Sequence, residues 1–187
     1  MNRDSNAYTF GFAAAMVVVV ASVLAFTASS LKDLQQENVR KEKMQNILAT
    51  IGIEIDRDGA EVLFNEYITS QLALRNDGTV DESVDPFSGI NLALELKKEP
   101  TQQRLPLYLA DVEGVSYYII PLRGAGLWDA IWGYIALESD RNTIKGAVFD
   151  HKAETAGLGA EITQQWFMDR FVGEKVFDND GKLVGIS

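Results

Sequence analysis

The sequence has no cysteine, one histidine and four prolines in 187 residues, and its 17 basic residues are outnumbered by 27 acidic ones. Without thiols the chain forms no structural disulfide, no cysteine-ligated zinc site and no iron–sulfur centre of its own. A lone imidazole, His151, cannot supply the histidine sets on which most transition-metal sites depend, so no metal site is expected. His151 reads instead as a loop histidine bonded to backbone or solvent. The net charge of −10 excludes nucleic acid as a partner, because nothing here neutralises a row of phosphates. Three motifs are also missing: the phosphate loop Gly-x-x-x-x-Gly-Lys-Ser/Thr, the dinucleotide fingerprint Gly-x-Gly-x-x-Gly, and the Gly-x-Ser-x-Gly nucleophile elbow. ATP, NAD and serine-hydrolase sites are therefore unsupported, and no catalytic residue is assigned. Asp178-Asn179-Asp180-Gly181 has glycine too early for a calcium loop and reads as a turn.

Charge is also absent from one long stretch. From Ser5 to Leu31 no residue is ionisable at neutral pH, and Phe10–Phe26 is almost wholly apolar. As a helix this run rises about 40 Å, more than the roughly 30 Å hydrocarbon core of a bilayer. It reads as a membrane helix or a signal peptide. Small residues at Ala25–Ser29 offer a cleavage site, but the run exceeds a signal h-region and Arg3 stands beside Asp4, which favours an uncleaved anchor. The organisation expected is a short tail over 1–7, a transmembrane helix over 8–31, a stalk helix over 32–52 and a soluble domain over 53–187. Lys32, Arg40, Lys41 and Lys43 against Arg3 lean towards an external N-terminus by the positive-inside rule.

Everything charged except Arg3 and Asp4 lies beyond the anchor. Met44, Ile47, Leu48 and Ile51 recur at i, i+3, i+4, i+7 and are expected to dock the stalk on the domain. Helical spacing of Phe64, Ile68 and Leu72 predicts a helix over 61–74, ended by Asn76-Asp77-Gly78. Residues 90–96 read as a short strand or helix. From Leu105 the pattern changes to strands: 107–111 and 115–121 about Glu113-Gly114, then 133–138 and 143–149 about Ser139–Asn142. A helix over 164–171 with Trp166, Phe167 and Phe171 facing inward, and a last strand over 182–186, complete the reading. Strands joined by short turns between helices indicate an α+β domain with a mostly antiparallel sheet and flanking helices, preceded by the N-terminal membrane helix.

Two glycine-punctuated stretches carry the chemistry: Gly124-Ala125-Gly126-Leu127-Trp128 and His151-Lys152-Ala153-Glu154-Thr155-Ala156-Gly157-Leu158-Gly159. Glycines let backbone N–H groups approach the edge of a flat cofactor, while Trp128 and Leu158 could cover its faces. Trp132 is expected to be core filler, and for Trp128 filling and ring stacking remain equally open.

Glu154-Thr155-Ala156-Gly157-Leu158-Gly159 is similar to the Glu-Thr-Pro-Gly-Leu-Gly signature of the bacterial FMN-binding domain family. With Leu122–Glu138, Asp140–Gly146, Asn38–Leu48 and Leu63-Phe64-Asn65, the chain resembles, along its whole length, the C-subunit family of sodium-translocating NADH:quinone oxidoreductases. That resemblance implies a one-helix protein of the bacterial inner membrane with its soluble domain on the extracytoplasmic side. It implies FMN as cofactor, other membrane subunits of a sodium-pumping complex as partners alongside the lipid bilayer, and a relay of single electrons between them. It places Trp128, Glu154, Thr155, Gly157, Leu158 and Gly159 at the flavin, with the glycine N–H groups and Thr155 bonding the pyrimidine edge. Glu154 would then disfavour anionic flavin and lower its reduction potential. In the family the flavin phosphate is esterified to a threonine in a Ser-Gly-Ala-Thr-x-Thr motif. That motif has no counterpart before Ser187, so the chain is expected to be C-terminally incomplete, and Ala156 stands where the family has proline. Two alternatives stay open: the homologous flavin subunit of an Rnf-type ferredoxin:NAD complex, and a flavin-free anchored scaffold.

Overall fold

The computed structural model describes residues 6–184. Arg3 of the N-terminal tail, and the far end of the strand expected over 182–186, lie outside the described residues. Helix α1 runs unbroken from Asn6 to Ala49. An 18-residue window within it has a mean hydropathy of 2.3 and none of it is buried, so length and composition suffice to cross a membrane. Two of its hydroxyls are absorbed locally: Thr27 and Ser30 donate to the carbonyls of Val23 and Phe26 one turn back.

The chain divides into two compact units, one ending at Arg40 and the other beginning at Lys41. The second unit thus starts earlier than the boundary expected at 53. The reason is apolar spacing: Met44, Ile47, Leu48 and Ile51 are all buried, as their periodicity indicated, and make the end of α1 part of the domain core.

That core lies on one face of a five-stranded antiparallel sheet in simple meander order. The strands are β1 (Ile68–Leu74), β2 (Leu105–Val112), β3 (Val115–Ala125), β4 (Ala130–Leu137) and β5 (Ile144–His151). Tyr108, Ala110, Ile119 and Ala136 point from the sheet to the α1 end and to Phe64 of α2 (Ala60–Tyr67). Phe64, Phe87 and Tyr108 meet edge to face with centroids 5.2–6.4 Å apart. The opposite face carries Ile131, Ile135 and Phe149, covered by the C-terminal segment through Ile162, Phe167 and Phe171, with an apolar cavity of about 280 Å³ between them. Phe149 meets Phe171 at 4.9 Å and Phe167 at 6.0 Å.

Both expected hairpins are present. Glu113 and Gly114 take φ of 54° and 82°, the paired left-handed geometry that lets Val112 face Val115 across a two-residue turn. The helix expected over 61–74 is not: it stops at Tyr67, and Ile68–Leu74 is strand β1, paired with β2 from Ala110 to Leu105. Seven residues with two β-branched members fit either period, and the exposed edge of β2 decided for strand. Residues 92–95 form the short helix α3. The expected helix over 164–171 is a turn of α-helix over Gln165–Met168 followed by a 3₁₀ turn, and Trp166 is half exposed rather than inward. Near the C-terminus Phe177 and Leu183 make an isolated bridge.

Lys43 ties the end of α1 to the 85–87 turn. Its ammonium donates to the Phe87 carbonyl and sits 4.2 Å from the Phe87 ring centroid, with the Tyr108 ring centroid at 5.7 Å. Burial lowers its pKa from 10.5 to about 8, Asp85 opposing. The unfolded chain therefore holds this proton more tightly, so stability rises with pH between about 8 and 10.5. Thermal melts across that window should show wild type gaining on the order of 1–2 kcal/mol relative to Lys43→Met. Parallel pH profiles for the two proteins would refute the assignment.

Candidate functional site

The meander itself assembles the site. Ala130 opens β4 opposite Ala125, and one residue later Ile131 faces His151 at the end of β5. The β3–β4 tip and the segment leaving β5 must therefore emerge side by side. Gly124 and Ala125, expected in a loop, belong to strand β3, so the tip is Gly126–Asp129, closed by the Gly126 N–H on the Asp129 carbonyl at 2.8 Å.

Glu154 is the hub between the two segments. Its Oε1 accepts the Trp128 N–H at 3.1 Å, and its own N–H is donated to His151 Nδ1 at 3.2 Å. A Cβ at Gly126 would collide with Glu154 Oε1 and lie 2.7 Å from the Asp129 carbonyl, while one at Gly159 would lie 2.5 Å from Glu154 Oε2. The carboxylate is thus enclosed by two bare backbones, which is why both positions are glycine. A second bond reinforces the first: Trp128 Nε1 donates to Thr155 Oγ1 at 3.0 Å. Because Thr155 acts there as acceptor, its hydroxyl hydrogen stays available to a ligand.

The 155–161 segment is internally bonded. Leu158 and Ala160 donate to the Thr155 carbonyl, Gly157 has φ of 75°, and its N–H goes to Glu161 Oε1 at 3.1 Å. The Gly157 N–H is therefore not offered outward, unlike the expectation from the motif. Three large apolar side chains are instead left in solvent: Leu127 is 83% exposed, Leu158 73% and Trp128 69%. Such a patch marks a surface that something covers.

Beside it lies an open cleft of about 490 Å³, within the range of small-ligand sites. The β3–β4 hairpin lines it with residues 123–126 and 128–130, the α3 region supplies a wall of Ala93, Leu96 and Lys97, and no residue of 154–159 lines it. The α3 wall is fixed electrostatically. Buried Glu95 accepts Lys98 Nζ at 2.6 Å and the Arg104 N–H at 2.9 Å, and Arg104 also pairs with buried Asp81. Those bonds hold the Glu95 carboxyl below its usual range, Lys98 foremost; Ser83, Arg104 and Arg75 do the same for Asp81. At the tip, Lys152 Nζ pairs with Asp129 at 2.9 Å and lowers its pKa.

Of the six residues singled out by the motifs, Trp128, Glu154, Thr155 and Gly159 meet one another, Gly157 and Leu158 follow on the same loop with the Gly157 N–H turned to Glu161, and His151 is backbone-bonded as read. The wall from residues 93–97 was missed. Its helix is a single turn with no chemical motif, and only tertiary packing brings it to Arg123.

The FMN-binding domain family matches residues 126–187, a segment that opens on the tip and contains the loop facing it. A crystal structure of the C subunit of Na(+)-translocating NADH-quinone reductase from Parabacteroides distasonis superposes with a TM-score of 0.75 at 37% identity, covering 83% of this chain and 74% of that one. The C subunit of the Pseudomonas aeruginosa reductase is 31% identical over 98% of this chain and 77% of its own length. The chain belongs to the C-subunit family of Na(+)-translocating NADH-quinone reductases. The Vibrio campbellii member is 29% identical over 97% of this chain and 77% of its own length. The fold shared with the Parabacteroides subunit is the α+β domain described above, a five-stranded antiparallel sheet with flanking helices, which in this chain follows a long apolar N-terminal helix in sequence.

Proposed function

We propose that the chain is the membrane-anchored flavin subunit of a sodium-translocating NADH:quinone oxidoreductase, holding FMN at the Trp128–Glu154 clasp and passing single electrons between other subunits. The observation that carries this is the convergence of the tip and the 154–159 loop around exposed Trp128 and Leu158, inside the segment that matches the FMN-binding family.

The residues fit a flavin. Trp128 offers a ring face held at both its main-chain and indole nitrogens, so a ligand would not have to immobilise it. Leu158 supplies apolar cover and Thr155 a hydroxyl donor for a ring-edge oxygen. Gly126 and Gly159 give the clearance in which Glu154 sits, so its main contribution is to position Trp128. When bound, flavin supplies chemistry that takes and releases electrons one at a time. The apolar part of α1 anchors the chain in the inner membrane, and the soluble domain lies on the extracytoplasmic side, as the family resemblance implies and against the lean of the charges flanking the helix. Sodium movement is left to other subunits, because the uncharged stretch of α1 contains no carboxylate.

The test is flavin binding by the full chain in detergent, followed by quenching of FMN fluorescence. FMN should bind, and Trp128→Ala should weaken it about tenfold or more, the worth of one stacked ring. A chain that leaves FMN fluorescence untouched would be a scaffold instead.

A further inference from the structure

We infer that His151 is a positioning residue of the clasp: its neutral imidazole holds Glu154 where the Trp128 N–H can reach it, and taking up a proton releases that hold. The bond itself stands on geometry alone, while its consequence for the cofactor rests on the flavin reading above.

Strand β5 ends at His151, and the next rung is the Lys152 N–H on the Ala130 carbonyl at 3.0 Å. Exposed Lys152 and Ala153 then lead to Glu154, whose N–H turns back onto His151 Nδ1 at 3.2 Å. The main chain of His151 is itself held, since its N–H goes to Asp150 Oδ1 at 2.7 Å. Half-buried His151 thus links the end of the sheet to the residue whose carboxylate accepts the Trp128 N–H.

An imidazole nitrogen that accepts a hydrogen bond carries no proton, so this geometry requires the neutral ring with its hydrogen on Nε2. Protonation sets N–H against N–H and removes the acceptor. Imidazole is the side chain that ordinarily changes charge between about pH 5 and 8, and this chain has a single histidine. The charged groups around it lie on several elements. Asp150, Lys152 and Glu154 are on its own segment. Asp129 of the tip pairs with Lys152 at 2.9 Å, with Arg123 of β3 also acting on it. Glu161, in the 3₁₀ turn Gly159–Thr163, accepts the Gly157 N–H at 3.1 Å. Across the ladder stands Ile131, which has no charge. An imidazolium here is drawn to a carboxylate oxygen and turned from the Glu154 N–H.

The test is nitrogen NMR of the full, isotope-labelled chain in detergent, where one histidine gives one ring to read. At about pH 8 the ring should be the Nε2–H tautomer. On acidification to about pH 5.5 the Glu154 and Trp128 amides should move with the same midpoint as the ring. FMN affinity, read by fluorescence quenching, should fall about fivefold across that range, the worth of one hydrogen bond. His151→Asn keeps an acceptor oxygen but takes up no proton. It should bind FMN within about twofold of wild type at about pH 8, and its affinity should fall about fivefold less on acidification. The phosphate of FMN takes up a proton of its own at about pH 6, equally for both proteins, so their difference isolates His151. An Nδ1–H ring at about pH 8, or equal acid responses in wild type and His151→Asn, would overturn the inference and leave the flavin reading standing. The expected ring and amide titrations without FMN binding would keep the His151–Glu154 link and remove the flavin reading.

Discussion

Gly159→Ala is expected to weaken FMN binding about tenfold with little loss of fold stability. The nearest atoms the added methyl meets all belong to one side chain, Glu154, with Oε2 2.5 Å away, Cβ 3.1 Å and Cδ 3.3 Å. A flexible carboxylate can swing aside cheaply, so the sheet is undisturbed. What is lost is the acceptor for the Trp128 N–H and with it the fixed attitude of the indole, an interaction worth about 1–3 kcal/mol. Glu154→Ala removes the same bond from the other side. The double variant should therefore be no worse than either single one, an about tenfold rather than hundredfold loss in a double-mutant cycle. Additive losses would mean that Glu154 acts on the flavin directly, as its charge alone would suggest. Gly126→Ala differs, because there the Asp129 carbonyl stands 2.7 Å from the added atom and the hairpin must distort.

The second large effect is on stability. Phe64→Ala should cost about 3–5 kcal/mol, seen as a marked drop in melting temperature of the full chain. Phe64 is 1% exposed and sits where α2, the end of α1 and the sheet meet, edge-on to Phe87 at 5.2 Å and Tyr108 at 6.4 Å. No neighbour is free to fill the void, since Ile47, Leu48 and Tyr108 are themselves fully buried. A loss below about 1 kcal/mol would place the core's centre elsewhere.

Sequence alone reached unevenly into this molecule. The apolar run of α1 and the spacing of Met44, Ile47, Leu48 and Ile51 were legible, because periodicity in one segment needs no partner to be read. The 112–115 and 138–143 turns were legible from their polar and glycine chemistry. Residues 68–74 were misread as helix because seven residues satisfy both periods, and pairing with β2 settled the matter. Trp166 was misplaced for a related reason: one turn of helix has too few residues to define an inner face.

Composition and motif thus determined, unaided, that the chain carries one uncharged apolar run long enough to cross a membrane, is acidic and thiol-free, and holds its candidate cofactor residues in two glycine-marked segments. Tertiary structure decided how those segments act. Antiparallel pairing of β4 with both β3 and β5 sets Trp128 against Glu154 and Thr155, and the bonds of Arg104 to Glu95 and Asp81 fix the α3 turn that shares a cleft with the β3–β4 tip. No local signal encodes such meetings, because each is a contact between residues far apart in the chain whose free energy exists only after the sheet has formed.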